Sequence, residues 1–78
     1  MKIWQAKEYF GDGMITGFTA LRDPLVPDNW ILQIHGRGGK TWLFETAINE
    51  TRSFARLDTL VGTVADISGR VTSCVLHV

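Results

Sequence analysis

Two strand-like segments joined by a glycine-rich turn constrain the fold of this chain more than any other feature. Residues 30–35 place apolar side chains on one face at every second position, which is the repeat of a β-strand. The turn 36–39 contains three glycines, and glycine adopts positive φ without a steric penalty. Residues 40–47 are then predicted to form the antiparallel partner strand, which brings Trp30 and Trp42 together on one face.

The N-terminal region is compatible with two interpretations. Residues 14–21 are rich in β-branched and aromatic side chains and predict a strand, preceded by a turn at 11–13. Residues 2–10 either pair with that strand or form a short helix with Ile3, Ala6 and Phe10 on one side. Of the two, we predict the strand.

The clearest helical pattern lies near the C-terminus. Five apolar residues form one stripe with helical spacing: Leu57, Leu60, Val61, Val64 and Ile67. Asp58 suits the positive end of the helix dipole, and Gly69 is placed to end the helix in a left-handed cap. Residues 71–78 alternate as a last strand with apolar groups on both faces, which predicts a central position in the sheet.

Together these elements predict a single α+β domain over residues 1–78. Its sheet is small, antiparallel or mixed, with about four to five strands, and one C-terminal helix packs on one face before the last strand. A domain of this size buries only roughly 60–65% of the surface that its unfolded chain exposes. Binding to a partner, or to a second copy in a homodimer, would therefore add useful stability.

Charge and cysteine content restrict the classes of partner and the cellular compartment that we expect. The formal net charge is zero, whereas a dedicated nucleic-acid binder is normally basic and a DNA mimic is normally acidic. Cys74 is the single cysteine, so no intrachain disulfide points to an oxidising compartment. Residues 1–10 resemble neither a signal peptide nor a membrane span. We expect a cytoplasmic location without membrane association.

Three patterns could carry chemistry, and each has a simpler structural interpretation. The segment 38–41 ends in Gly-Lys-Thr, but Ile34 stands where a phosphate loop needs glycine. Cys74 and His77 fall on opposite faces of a strand and, even with His35, give fewer than the four ligands of a structural zinc site. An apolar strand also disfavours a reactive thiolate at Cys74. We predict no enzyme activity, no metal and no cofactor.

Aromatic and cationic residues in the middle of the chain predict a partner-binding surface. The three tryptophans are many for this length, and their simpler role is to fill the core. Exposed aromatics beside arginine are nevertheless typical of interface hot spots, the alternative being an ordinary solvated surface. The predicted contact residues are Trp30, Arg37, Lys40, Trp42, Arg52 and Arg56.

Residues 30–78 contain short patterns in a fixed order: a Trp-led hairpin, Leu43-Phe-Glu-Thr-Ala, Arg52-Ser-Phe54, Leu57-Asp58 and a final Gly69. In this series the chain resembles the small ParC-like, partition-associated proteins of bacterial plasmids and integrative elements. It departs from their pattern at Asn49, where many have glycine, and at Arg56, where a serine precedes the Leu-Asp pair. A serine there would be a natural helix cap.

The resemblance implies cargo of a mobile genetic element more than it implies a mechanism. Small, neutral proteins without motifs in that setting are frequently adaptors, regulators or anti-defence proteins. We therefore predict a phage, plasmid or integrative-element protein that acts by protein–protein contact, by analogy an anti-CRISPR inhibitor that occludes a Cas protein surface. The alternative is a partition or conjugation accessory protein that contacts DNA through a local basic patch.

Overall fold

The computed structural model describes residues 1–69 and 75–77 and has the predicted α+β class. Its elements, in chain order, are α1 (Ile3–Gly11), β1 (Ile15–Arg22), β2 (Trp30–Gly36), a 3₁₀ turn (Arg37–Gly39), β3 (Thr41–Leu43), α2 (Leu57–Ser68) and β4 (Val75–His77). The sheet order is β3-β2-β1-β4. The first three strands pair antiparallel, and β4 runs parallel to β1.

The N-terminal segment is a helix, so the prediction of a strand over residues 2–10 is wrong, as is the prediction of only one helix. Ala6 is fully buried, and Ile3 and Phe10 pack against the core. As a helix, the segment turns these three side chains to one side, against the core. At the helix start, the backbone N–H of Lys2 donates to Oε1 of Gln5 at 3.0 Å, which satisfies a terminal donor.

The glycine-rich hairpin is confirmed, with a shorter second strand than predicted. Gly38 and Gly39 have φ of 72° and 75° in the turn, a region that glycine enters freely. The register places Trp42 opposite Ile34, and Trp30 lies four residues earlier on β2, about 13 Å away along the strand. The predicted approach of the two tryptophans is therefore wrong, although both side chains point to the same face.

Both helices pack on one face of the sheet. The hydrophobic core lies between the helices and this face. Three residues of the stripe predicted on α2 are buried: Leu60, Val64 and Ile67. These side chains join Ala6 of α1 and the buried residues of the two central strands, which include Phe18, Ala20, Leu32 and Ile34. Gly69 ends α2 with φ of 78°, which confirms the predicted left-handed cap.

No helix in the described part of the chain covers the other face of the sheet. Side chains at positions 31, 33 and 35 of β2 point to it, as do their cross-strand neighbours. We call this surface the open face, and it consists of Thr19, Leu21, Ile31, Gln33, His35, Thr41 and Leu43.

The last strand lies at an edge of the sheet, beside β1, and not in the predicted central position. Its register places Leu76 opposite Ala20. The rest of the strand predicted over 71–78, including Cys74, lies outside the described residues. Within residues 1–69 and 75–77, neither helix has the length and apolar character needed to cross a bilayer.

Candidate protein-binding site

The four predicted cationic contact residues lie in two segments: Arg37 and Lys40 at the hairpin turn, and Arg52 and Arg56 between β3 and α2. Arg37 begins the 3₁₀ turn and Lys40 follows it. Arg52 and Arg56 lie on either side of Phe54, whose backbone bonds to that of Trp30 at the start of β2. Arg52 is nearer the middle of β2, because its backbone N–H donates to Phe44 and that of Phe44 donates to Leu32. Arg37 and Arg56 lie beyond the two ends of this seven-residue strand, about 20 Å apart along it, so the four cations do not form one compact patch.

Three of these four cations already have intramolecular contacts. Nε of Arg37 donates to the carbonyl of Gly13 at 2.7 Å. The Arg52 guanidinium lies 4.9 Å from the ring centroid of Phe54. Arg56 lies 3.7 Å from Asp58 with both side chains exposed, a geometry that contributes little to stability.

The two tryptophans predicted to contact a partner pack mainly within this chain. Trp30 is 8% exposed and belongs to the core, with the Arg22 guanidinium 3.9 Å from its ring centroid. Trp42 is half-buried and meets the ring of Tyr9 edge-on, with centroids 5.7 Å apart. These contacts agree with the simpler interpretation of Trp30 and Trp42 as packing residues, whereas Trp4 on α1 is 61% exposed.

A small apolar pocket opens on the open face, beside the loop that joins β1 to β2. It encloses about 150 Å³ and is lined by Asp23, Pro24, Leu25, Ile31, Leu43 and Thr51. Ile31 is buried in the sheet, whereas Leu25 and Leu43 are 88% and 38% exposed. An apolar cavity of this volume accommodates a benzene ring. The open-face pocket therefore has room for one aliphatic or aromatic side chain.

Asp23 fixes the loop that forms one wall of the open-face pocket. Its Oδ2 accepts the hydroxyl of Ser53 at 2.6 Å, and its Oδ1 accepts the backbone N–H of Leu25 at 2.9 Å. The Ser53 bond first, and then the Leu25 bond, lower the pKa of Asp23 against the opposing effect of burial. The carboxylate is therefore ionised at neutral pH and holds the loop against residues 51–54.

The neighbouring arginines point away from the open-face pocket. Arg22 precedes Asp23 in the chain and Arg52 follows Thr51, but their guanidinium groups lie over the rings of the core residues Trp30 and Phe54. Asp23 is therefore the one charged residue among the six that line the pocket. The site combines aliphatic walls with a single negative charge.

The sequence patterns did not identify this site. Leu25 and Val26 stand between Pro24 and Pro27, and an apolar pair held between two prolines cannot continue a strand into the core. That pattern was the available signal for exposed apolar residues. The contribution of Ser53, 30 residues from Asp23, had no such signal.

One hydroxyl–imidazole contact lies elsewhere on the open face. Oγ1 of Thr19 and Nε2 of His35 are 2.7 Å apart. Among the residues that the structure describes, no third group bonds to the imidazole to orient it as a base would require, and no cluster of three metal-binding side chains occurs. Cys74 lies outside those residues, so its grouping with His35 and His77 stays a sequence interpretation.

No protein family, curated protein or solved structure matched this chain in comparisons. The ParC-like resemblance over residues 30–78 therefore stays a prediction that depends on the residue patterns alone.

The backbone at the two positions that differ from the ParC-like pattern is well defined. Asn49 has φ of 66°, a left-handed conformation that glycine and asparagine tolerate best. Arg56 is the N-cap residue of α2 and makes no side-chain capping bond. The start of α2 therefore lacks the capping hydrogen bond that a serine at position 56 would supply.

Proposed function

We propose that this chain is a non-enzymatic binding protein of a mobile genetic element and that it acts by protein–protein contact through its open face. The observation that carries the proposal is the open-face pocket, an apolar depression framed by exposed Leu25 and Leu43. Protein interfaces typically place an anchor side chain from one partner into such a pocket of the other.

The exposed apolar side chains support this assignment energetically. Leu25 and the adjacent Val26 are 88% and 45% exposed. Complete burial of a side chain such as Leu25 against a partner contributes about 2 kcal/mol. A contact that covered Leu25, Val26 and Leu43 together would remove a large part of this exposed apolar surface from water.

The distribution of cations gives less support to DNA binding as the alternative. The seven residues of β1, β2 and β3 that form the open face include no lysine or arginine, and the predicted basic residues lie in two segments, at the hairpin turn and between β3 and α2. A protein that follows a phosphate backbone needs its cations within one continuous surface.

In its most specific form, the proposal is that this chain is an anti-CRISPR inhibitor that occludes a Cas protein. Occlusion requires a complementary surface and no reactive centre, which suits a chain of 78 residues with zero net charge. The resemblance to proteins of mobile elements supports the same setting. A direct test is phage plating on strains with defined CRISPR–Cas systems, where expression of the chain should restore plaque formation in one of them.

The role of the open face can be tested by affinity capture from a bacterial lysate with quantitative mass spectrometry. We compare the natural chain with Leu25→Ser, and with Ile48→Ser as a matched control, since Ile48 is 72% exposed but does not line the open-face pocket. A specific partner should be retained by the natural chain and the control and lost with Leu25→Ser. Equal retention by all three would contradict the proposed surface.

A further inference from the structure

We propose that the open-face pocket accepts an apolar side chain of the partner protein that has a lysine or arginine beside it. This inference rests on the proposed function and specifies the chemistry of the partner. It follows from the size of the pocket and from the mostly buried carboxylate of Asp23 among its lining residues.

The walls of the pocket favour the apolar side chain of the partner. Leu25, Ile31 and Leu43 supply aliphatic surface around a volume of about 150 Å³. A leucine, methionine or phenylalanine side chain fits a space of this size, and its burial there also covers the exposed atoms of Leu25. A polar side chain would lose water contacts without replacing them, because the lining is mostly carbon.

The carboxylate of Asp23 favours the lysine or arginine beside that side chain. Asp23 is 6% exposed, and its hydrogen-bond donors, the Ser53 hydroxyl and the backbone N–H groups of Leu25 and Val26, are all neutral. Asp23 has no salt bridge with any of the described residues, and the adjacent Arg22 is occupied by the ring of Trp30. No cation of the described residues pairs with this charge, so it can attract a cation of the partner and would repel an acidic residue beside the anchor.

Three small probes that share a phenyl ring separate the apolar and the charged contributions. Phenethylammonium is cationic, 2-phenylethanol is neutral and 3-phenylpropionate is anionic at pH 7. Methyl NMR spectra of Leu25, Ile31 and Leu43 report occupancy of the pocket, and Ile48 serves as an internal reference outside it. We expect phenethylammonium to bind about tenfold more tightly than 2-phenylethanol, in line with a hydrogen bond to a charged group, and phenylpropionate to bind most weakly.

Two variants assign the preference to the carboxylate. Asp23→Asn should remove the tenfold difference between the cationic and the neutral probe. Because Asp23 also holds the loop, Ser53→Ala is the second variant: it removes one loop hydrogen bond but keeps the charge, and it should keep the preference. Loss of the preference in Ser53→Ala as well as in Asp23→Asn would show that loop order, and not charge, controls binding and would overturn the inference.

The probes also separate this inference from the proposed function. Equal binding of all three probes, or tightest binding of phenylpropionate, overturns the cationic motif. The open face would still stand as the contact surface if Leu25→Ser abolished partner capture. Absence of methyl shifts with every probe would overturn the inference that this pocket takes an anchor side chain.

Discussion

The hydroxyl of Ser53 donates a 2.6 Å hydrogen bond to Oδ2 of Asp23, and this bond joins parts of the chain that are 30 residues apart. Ser53 also accepts a bond from the side-chain amide of Asn29 at 2.9 Å. The β1–β2 loop is thereby held from both of its ends against residues 51–54. Asp23 and Thr51 can then line the same pocket, so this one polar contact shapes the proposed binding site.

The charge of Asp23 should make stability depend on pH in the acid range. Its pKa in the folded chain lies below the ordinary value of 3.8, chiefly because Ser53 donates to the carboxylate. The stabilisation is therefore fully present above about pH 4 and is lost as pH falls through the folded pKa. Thermal unfolding of the natural chain and Asp23→Asn should differ by a constant amount between pH 7 and 5, and the difference should shrink below pH 4. A difference that persisted undiminished at pH 2.5 would show that the carboxylate charge is not responsible.

Two glycines, one inside α2 and one at its C-cap, should respond in opposite directions to substitution by alanine. Gly62 lies in the exposed helix interior, where an added methyl group would meet only open space, so Gly62→Ala should stabilise the chain by about 1 kcal/mol. Gly69 has φ of 78° at the C-cap, so Gly69→Ala should destabilise it by about 1–2 kcal/mol. Urea unfolding measures both changes. Shifts of the same sign would contradict this description of the helix and its end.

The uncapped start of α2 offers a stabilising substitution. Arg56 has extended φ and ψ at the N-cap but makes no capping bond. A serine hydroxyl there can accept a backbone N–H of the first helical turn, so Arg56→Ser should raise stability by about 1 kcal/mol, or the melting temperature by about 4–8 °C.

Arg56→Ala is the control for this substitution. It removes the exposed contact with Asp58 without adding a cap, and we expect it to leave stability nearly unchanged. A serine variant no more stable than the alanine variant would rule out the capping bond.

Close packing of Trp42 on Gly36 should make position 36 intolerant of a side chain. A Cβ at Gly36 would lie 2.5 Å from Cζ3 of Trp42, whereas a Cβ at Gly17 meets nothing within 4 Å. Gly36→Ala should therefore cost about 1–3 kcal/mol through overpacking, and Gly17→Ala should be tolerated. Chemical denaturation followed by tryptophan fluorescence gives both values. Equal effects of the two changes would mean that Trp42 moves aside freely.

Local patterns predicted the elements whose signals are short-range. The hairpin depends on alternation along 30–35 and on glycines at 38 and 39, and α2 depends on a helical stripe that ends at Gly69. In each case the residues that set the conformation lie within one turn or one strand of each other. The apolar residues of segment 2–10 fit both the repeat of a strand and the repeat of a helix, and we predicted the strand. The packing of Ala6 into the core favours the helix, and this contact is visible only in the structure.

The candidate site could not be predicted from the sequence because contacts distant along the chain build it. Asp23 and Ser53 are ordinary polar residues until folding brings them together. Arg22 and Arg52 flank the pocket in sequence, but their orientation over Trp30 and Phe54 is visible only in the structure. The sequence patterns therefore favoured cations and tryptophans as contacts, whereas the structure draws attention to the aliphatic residues of the open face.

The sharpest test of the open face is the dissociation constant of the purified, captured partner for three chains: the natural one, Leu43→Ser in the open-face pocket and Ile48→Ser outside it. We predict that Leu43→Ser weakens binding by about tenfold or more, as expected for an interface hot spot, while Ile48→Ser and the natural chain agree within about twofold. Unchanged affinity for Leu43→Ser, with the fold intact by circular dichroism, would contradict the assignment of the open face as the partner-binding surface.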